Sequence, residues 1–314
     1  MLSSSDATIS DAAKLWLKRC KAYELERATL RSYKGHFTHH IEPKIGDLLL
    51  QNVTRADVEE FLDDMLDSSS KMMTKKVLAS LRSILTHAQS RGWIEHNYAR
   101  DVKLPRGRRH EEEKVIPTKD EIRALLKNVP AKSKPIIVTA VFTGMRSSEL
   151  RGLTWSNVDL EKGVIRIRQR ADRWNEMGAP KSRAGRRDIP MTPMVRSTLT
   201  EWQKRCPKGP LNLVFPNGKG NPEGHANLYH RIFKPLMVDC GIVDREGKPR
   251  FSIHCLRHAA ASLFIEQGWS PKKIQAILGH SSINMTFDVY GHLFHDAEAD
   301  VALMEKVEKD LMAA

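Results

Sequence analysis

No run of this chain is both long and apolar enough to cross a bilayer. Its longest mostly apolar stretch, Ile136 to Phe142, covers seven residues, against roughly 20 for a spanning helix. The opening MLSSSDATIS lacks a basic region followed by an apolar core, so no secretory signal is expected and a cytoplasmic protein is. Cysteine is sparse: Cys20, Cys206, Cys240 and Cys255 are far apart, which argues against a zinc cluster and against a disulfide framework. Aromatics make up 6% of residues, and no aromatic-rich strand of the kind that stacks RNA bases is visible. A GxxxxGK[ST] loop is missing, so ATP-driven chemistry is not indicated. Nor is there a compact Asp/Glu set of the kind that holds two metal ions in many nucleases.

What the chain has in excess is positive charge. Fifty-one Lys and Arg stand against 38 Asp and Glu, a net +13, with a pI near 9.6. Such a surplus favours a polyanionic partner, most often nucleic acid. An anionic membrane surface would need a basic helix with a strong apolar face, and none is found.

Within its 314 residues there is room for two domains, each with its own core. The segment LPRGRRHEEEKVIP, with Pro, Gly and abutting blocks of opposite charge, reads as an exposed linker. Before it, DAAKLWLKRC, TLRSYKGHFTHHI, TRADVEEFLDDML and KKVLASLRSILTHAQSRG carry apolar residues at helical spacing, which predicts a small helical bundle. Thr54 with Asp57, and Thr118 with Glu121, resemble capping boxes and mark helix starts. After the linker, helical segments run to Leu153 with a break near Gly144. VIRIRQR then alternates apolar and basic residues, as a half-buried strand does. With GRRDIPM it predicts a β-hairpin between helical blocks. Helices resume at Thr192-Pro193, continue through Leu228 to Cys240 and His254 to Gln267, and a last one runs from Ser270-Pro271 to Gly279.

Three segments of this second part carry chemistry: TGMRSSELRGLTW, HCLRHAAASLF and ILGHSSINMTFDVYGH. Arg146 follows a helix break, and Glu149 lies three residues on, within reach to hold it. His254 and Arg257 share a helix face. His280 follows the helix terminator Gly279, and Tyr290 lies ten residues further. Taken singly, an arginine beside a glutamate is usually a surface ion pair, and a lone tyrosine is usually core. Together they have one logic. Two arginines can grip the non-bridging oxygens of a phosphate. Phosphoryl transfer needs mainly that positioning and charge stabilisation. A phenol, with a pKa near ~10, needs a base or a cationic pocket before it attacks, and His254 and His280 are candidates for proton transfer and phosphate contacts.

The ordered set Arg146, His254-Cys255-Leu256-Arg257, Leu278-Gly279-His280 and Tyr290 resembles the tyrosine recombinase (phage integrase) family. The similarity covers the whole second part. TLRSYKGHFTHHIEPKIGDLLLQNVTRADVEEFL is similar, more loosely, to that family's helical core-binding domain. The resemblance implies a mainly α fold with a small β-hairpin: residues 1–105 as a helical DNA-binding domain, 106–117 as linker, and 118–314 as the catalytic domain. It implies a site-specific DNA recombinase that works without metal, ATP or cofactor. Tyr290 would attack the scissile phosphodiester, leaving a 3′-phosphotyrosyl link and a free 5′-hydroxyl. Arg146 and Arg257 would clamp the phosphate, with Glu149 orienting the first arginine. His254 would accept or relay the tyrosine proton, and His280 would hydrogen-bond a phosphate oxygen. Lys181, in GAPKSRAGRRDIP, occupies the place of the family's general acid for the leaving 5′-oxygen, with Arg183, Arg186 and Arg187 close by.

The partners implied are double-stranded DNA, three further protomers in a tetramer on synapsed sites, and an accessory directionality factor. The acidic C-terminal segment, with an apolar stripe of Val301, Met304, Val307 and Leu311, is expected either to pack on its own domain or to dock into a neighbouring protomer. The helical region begins so early that an N-terminal arm-binding domain is expected to be absent or to precede residue 1. Two rival readings share parts of this pattern. A type IB topoisomerase also uses a tyrosine, arginines and a histidine, but HCLRH and LGH with Tyr290 close behind fit recombinases better. A DNA-binding protein that had lost catalysis would lack an arginine or the tyrosine, and this chain lacks neither.

Overall fold

Threonine and serine hydroxyls begin six of the described helices of this chain, at Thr8, Thr54, Ser70, Thr118, Thr192 and Ser270, because each can accept from an N–H that the first turn leaves unpaired. The computed structural model describes residues 6–105, 115–291, 305 and 308–312. Two units emerge, Met1–Glu111 and Glu112–Ala314.

In the first unit, Thr8 and Asp11 form a capping box that opens α1 (Ile9–Ala22). α2 (Arg27–His36) runs on through a π-helical stretch, Phe37–Ile41, into the single turn α3 (Glu42–Ile45). The predicted Thr54–Asp57 box is present and starts α4 (Arg55–Ser68). Ser70 caps the long α5 (Lys71–Ser90), against which α1, α2 and α4 pack. Their apolar stripes meet in one core that includes Trp16, Phe37, Ile41, Phe61, Met65, Leu81 and Ile84. This is the helical bundle that the periodicity predicts. Of the predicted linker, residues 106–114 lie outside the described residues.

The second unit is built around a helix that is apolar on every side. After α6 (Lys119–Asn128), opened by the Thr118–Glu121 box, comes α7 (Lys134–Thr143), in which Pro135 to Val141 and Thr143 are all buried. A helix without a polar face has to be enclosed, and α7 is packed by α6, α8 (Ser147–Arg151), α9 (Pro193–Arg205) and α12 (Cys255–Glu266). Gly144 ends α7 at φ +60°.

The predicted hairpin is more elaborate than alternation alone suggests. β1 (Val158–Asp159), β2 (Val164–Ile167) and β5 (Arg187–Pro190) form a three-stranded antiparallel sheet in the order β1-β2-β5. Between β2 and β5 the chain makes an excursion containing a second two-stranded ladder, β3 (Arg170–Ala171) with β4 (Met177–Gly178). VIRIRQR is therefore split between two sheets. The excursion is fastened by Arg151, which is 1% exposed and donates to the carbonyls of Asp172 and Glu223 and to the side chain of Asn175.

The remaining helices follow their predicted punctuation except the one over Asn284–Tyr290, which the sequence pattern does not predict. α9 starts at Thr192-Pro193. α10 (His225–Asn227), a π-helical stretch Leu228–Phe233 and α11 (Lys234–Asp239) form one continuous rod. α12 is followed by α13 (Pro271–Leu278), capped by Ser270 and ended by Gly279 at φ +67°, and then by α14 (Asn284–Tyr290). Val301, Met304 and Val307 of the C-terminal stripe lie outside the described residues. The backbone of 305 and 308–312 is helical, and Leu311 is exposed. No helix among the described residues is long and apolar enough to cross a membrane.

Phe61 is 2% exposed in the core of the first unit. Replacing it with alanine removes a ring from a close-packed site and is expected to cost about 3–5 kcal/mol. The measurement is the urea midpoint of the N-terminal unit, which should fall while that of the second unit stays in place.

Candidate active site

Two helices of the second unit end in left-handed glycines, and their last carbonyls point at arginines. The C-terminal turn of a helix leaves carbonyls without partners and carries partial negative charge. Arg257, on α12, donates to the Gly144 carbonyl at the end of α7 (2.7 Å) and to the Leu278 carbonyl at the end of α13 (2.7 Å). Arg146 donates to the Gly279 carbonyl (2.9 Å) and to Glu149 Oε1 (2.8 Å). The backbone N–H of Arg146 donates to Glu149 Oε2 (2.9 Å). The predicted Arg146–Glu149 pairing is thus present, and Arg257 joins it through the same two helix ends.

Glu149 is 2% exposed and has a second partner, Arg187 on β5. Arg187 Nη1 and Nη2 meet its two carboxylate oxygens at 3.0 and 2.9 Å, a two-pronged geometry that suits a buried pair. Arg187 also donates through Nε to the Ile277 carbonyl and through Nη1 to that of Gly185, joining β5 to α13. The sequence motifs give Arg187 no role of its own. A signal was available: alternation along β5 puts Arg187 on the same inward face as Ile189, and an arginine on a core face needs hydrogen-bond acceptors, of which a carboxylate is the strongest.

Burial by itself would raise the Glu149 carboxyl. The hydrogen bonds and charge of Arg187, with the charge of Arg146, outweigh it and hold the group below the usual carboxylate range. Arg257 is pushed down to about 9, by burial first and then by the charge of Arg146. It is still a cation at neutral pH. Three guanidiniums against one carboxylate leave two positive charges in a largely buried cluster, and an anion is the natural complement.

His280 follows Gly279 directly and is 7% exposed. Burial, then the charges of Arg257, Arg146 and Arg187, lower it to about 4, so at neutral pH its ring is uncharged. Its Nδ1 lies 2.9 Å from the hydroxyl of Thr286 on α14, a fully buried threonine that the sequence reading passed over. Tyr290 ends α14 and is 1% exposed, clustered with Ala261, Ile265, Ile274 and Leu278. Burial pushes its phenol up to about 12, against the opposing pull of Arg257. Its hydroxyl lies 2.6 Å from Nδ1 of His258, another residue that the sequence reading left without a role. The signal for it was the position of His258 one helical turn after His254.

The remaining two predicted residues are placed differently. His254 is the N-cap of α12 and is exposed, with its ring centroid 5.0 Å from that of His258. Lys181 is exposed and lies beyond β4, two residues before the turn Arg183–Gly185. That turn is packed on the site: a Cβ at Gly279 would lie 2.8 Å from the Ala184 carbonyl oxygen. The segment that carries Lys181 is therefore anchored three residues later, at Ala184 beside Gly279, while the Lys181 side chain is exposed.

Comparison with known proteins agrees with this architecture. Residues 116–296 match the phage integrase family, and residues 9–104 match the phage integrase central domain. The chain belongs to the phage integrase family. It is a tyrosine recombinase, a DNA strand-transferring enzyme. It is similar to a XerC-like tyrosine recombinase of Caldanaerobacter subterraneus, 23% identical over 92% of this chain and 80% of that one. The prophage integrase IntR of Escherichia coli is 27% identical over 70% of this chain and 57% of its own length. The solved portion (residues 82–397) of the integrase of transposon Tn1549, in complex with transposon right-end DNA, has the same fold: TM-score 0.83 at 23% identity, covering 96% of this chain and 100% of that portion.

Two outcomes follow from the cluster. Glu149→Ala leaves Arg187 buried without its carboxylate and is expected to lower stability by about 3–5 kcal/mol, measured by urea unfolding of the second unit. For His280, the native ring resists protonation while the unfolded one takes a proton near ~6.5. Its contribution to stability is complete above that pH and is lost as pH falls toward about 4. The His280→Gln variant should therefore lose less stability than the wild type between those limits, in urea midpoints taken across the range.

Proposed function

We propose that Tyr290 is the nucleophile of site-specific recombination and that the arginine cluster around Glu149 is the seat of the scissile phosphate. The observation that carries this reading is the two-charge cationic surplus, buried and held rigid, in the same unit as a tyrosine packed beside α12 and α13. The Tyr290 oxygen attacks phosphorus, the bond to the 5′-oxygen breaks, and a 3′-phosphotyrosyl link remains. Arg146 and Arg257 bind the non-bridging oxygens with N–H groups left over from their carbonyl bonds, since a guanidinium has five. Their geometry is set before DNA arrives, so charge that develops in the transition state meets donors already oriented. Neutral His280 adds a hydrogen bond rather than a charge. His254, exposed at the start of α12, relays protons between the tyrosine side of the site and solvent. Lys181 protonates the leaving 5′-oxygen from a backbone segment anchored beside the phosphate. Its exposure is compatible with that role, because hydrogen bonds to a substrate are completed only in the complex.

Double-stranded DNA is the substrate in this reading, consistent with the net charge of +13 and with the DNA-bound Tn1549 integrase. A tetramer on two synapsed sites, assisted by a directionality factor, is the assembly we propose. An exposed Leu311 in the helical C-terminal segment supports docking of that segment on another protomer rather than on its own unit.

The test is covalent trapping. The chain is incubated, in EDTA, with a supercoiled plasmid carrying the DNA that flanks its own coding sequence, and stopped with detergent. A protein–DNA adduct with a free 5′-hydroxyl is expected from the wild type and none from Tyr290→Phe. DNA binding with no adduct from either would assign the chain a binding role instead.

A further inference from the structure

The buried phenol of Tyr290 has to lose its proton to attack. At neutral pH a group near 12 is ionised in only about one molecule in 10⁵, so the proton needs an acceptor within the site. His258 is the partner that the fold provides. Positions 258, 261 and 265 fall on one stripe of α12, at i, i+3 and i+7. Ala261 and Ile265 of that stripe cluster with Tyr290, while His258, at its start, meets the hydroxyl at 2.6 Å. The neighbouring position, Arg257, points instead to the carbonyls of Gly144 and Leu278. One turn of α12 therefore presents a phosphate-binding cation and, about 100° round the helix, an imidazole on the nucleophile.

We propose that His258 Nδ1 is the immediate acceptor of the Tyr290 proton and returns it when the strand is rejoined. The proposal rests on Tyr290 being the nucleophile. In the forward step the Tyr290 oxygen–phosphorus bond forms, the phosphorus–5′-oxygen bond breaks, and the phenolic proton moves to His258 Nδ1. The 5′-oxygen takes its own proton from the leaving-group acid. Rejoining reverses each transfer, and His258 hands its proton back to the departing phenolate. The reactive tautomer carries its ring proton on Nε2, so that Nδ1 accepts from the phenol. Among the described residues, the charged and titratable groups near His258 include Tyr290 on α14, His280 in the turn after α13, and His254, Cys255 and Arg257 on α12 itself. His254, 5.0 Å away between ring centroids and exposed, is placed to exchange the proton onward with solvent.

The experiment uses a duplex copied from the site at which the wild type forms its adduct, and measures single-turnover cleavage from pH 5.5 to 9. His258→Asn keeps an acceptor near the place of Nδ1 but cannot take a proton. His258→Ala removes it. Both are expected to cleave on the order of 10²-fold more slowly than wild type, with an altered pH profile, and added imidazole should restore part of the rate to His258→Ala. A duplex with sulfur in place of the bridging 5′-oxygen, whose leaving thiol needs no acid, should rescue Lys181→Ala but neither His258 variant. Wild-type rate in His258→Asn would show that the residue only positions the hydroxyl, and would overturn the proposal. Rescue of either His258 variant by the sulfur substrate would overturn it too, by moving the defect to the leaving group. An adduct surviving in Tyr290→Phe would instead sink the underlying assignment of the nucleophile.

Discussion

A carboxylate buried among arginines organises the second unit. Glu149 accepts from the backbone and guanidinium of Arg146 and from both terminal nitrogens of Arg187, so it ties α8 to β5, and through Arg187 to α13. Desolvating a carboxylate is expensive, and its ionised form is kept here only because two cations and a backbone N–H surround it. The converse holds as well. Three guanidiniums could not share so small a volume without that charge and without the carbonyls of Gly144, Leu278 and Gly279. Those carbonyls are available because two helices stop there, and they stop because glycine takes a positive φ that other residues resist.

For the proposed reaction, the consequence is a division between groups that are set in advance and groups that DNA would complete. Arg146, Arg257, His280 and Tyr290 are held by hydrogen bonds or by burial. A site arranged in this way spends little reorganisation energy when charge develops on a phosphate. His254 and Lys181 lie at the exposed rim, where solvent and a duplex have access. Such a division suits a reaction that has to run in both directions. A phosphotyrosyl link conserves the free energy of the broken phosphodiester, so in the proposed reaction the same groups would serve cleavage and rejoining.

The excursion between β2 and β5 shows how the fold carries that rim. It is fastened at one end by Arg151, whose guanidinium has three acceptors across the hairpin and the 223 loop. At the other end Gly185 and Ala184 are packed against Arg187 and Gly279. Lys181 lies between these anchors on backbone that is fixed at both ends, with a long side chain that is not.

Much of this was legible in the chain itself, for local reasons. Helix starts at Thr54, Thr118, Thr192 and Ser270, and stops at Gly144 and Gly279, are written in side-chain hydrogen bonding and backbone sterics, which act within a few residues. The family resemblance came from short ordered motifs, and the Arg146–Glu149 pair from a three-residue spacing. Tertiary structure alone decided the rest. That Glu149 has a second arginine in Arg187, that Arg257 spans two helix ends, and that Tyr290 meets His258 rather than lying free are contacts between residues 21 to 113 positions apart. The split of VIRIRQR between two sheets has the same origin, since alternation marks a strand but not its partner. Charge patterns and periodicities report what a residue prefers around it. Which buried charge answers which is settled only when the chain has closed on itself and water has gone.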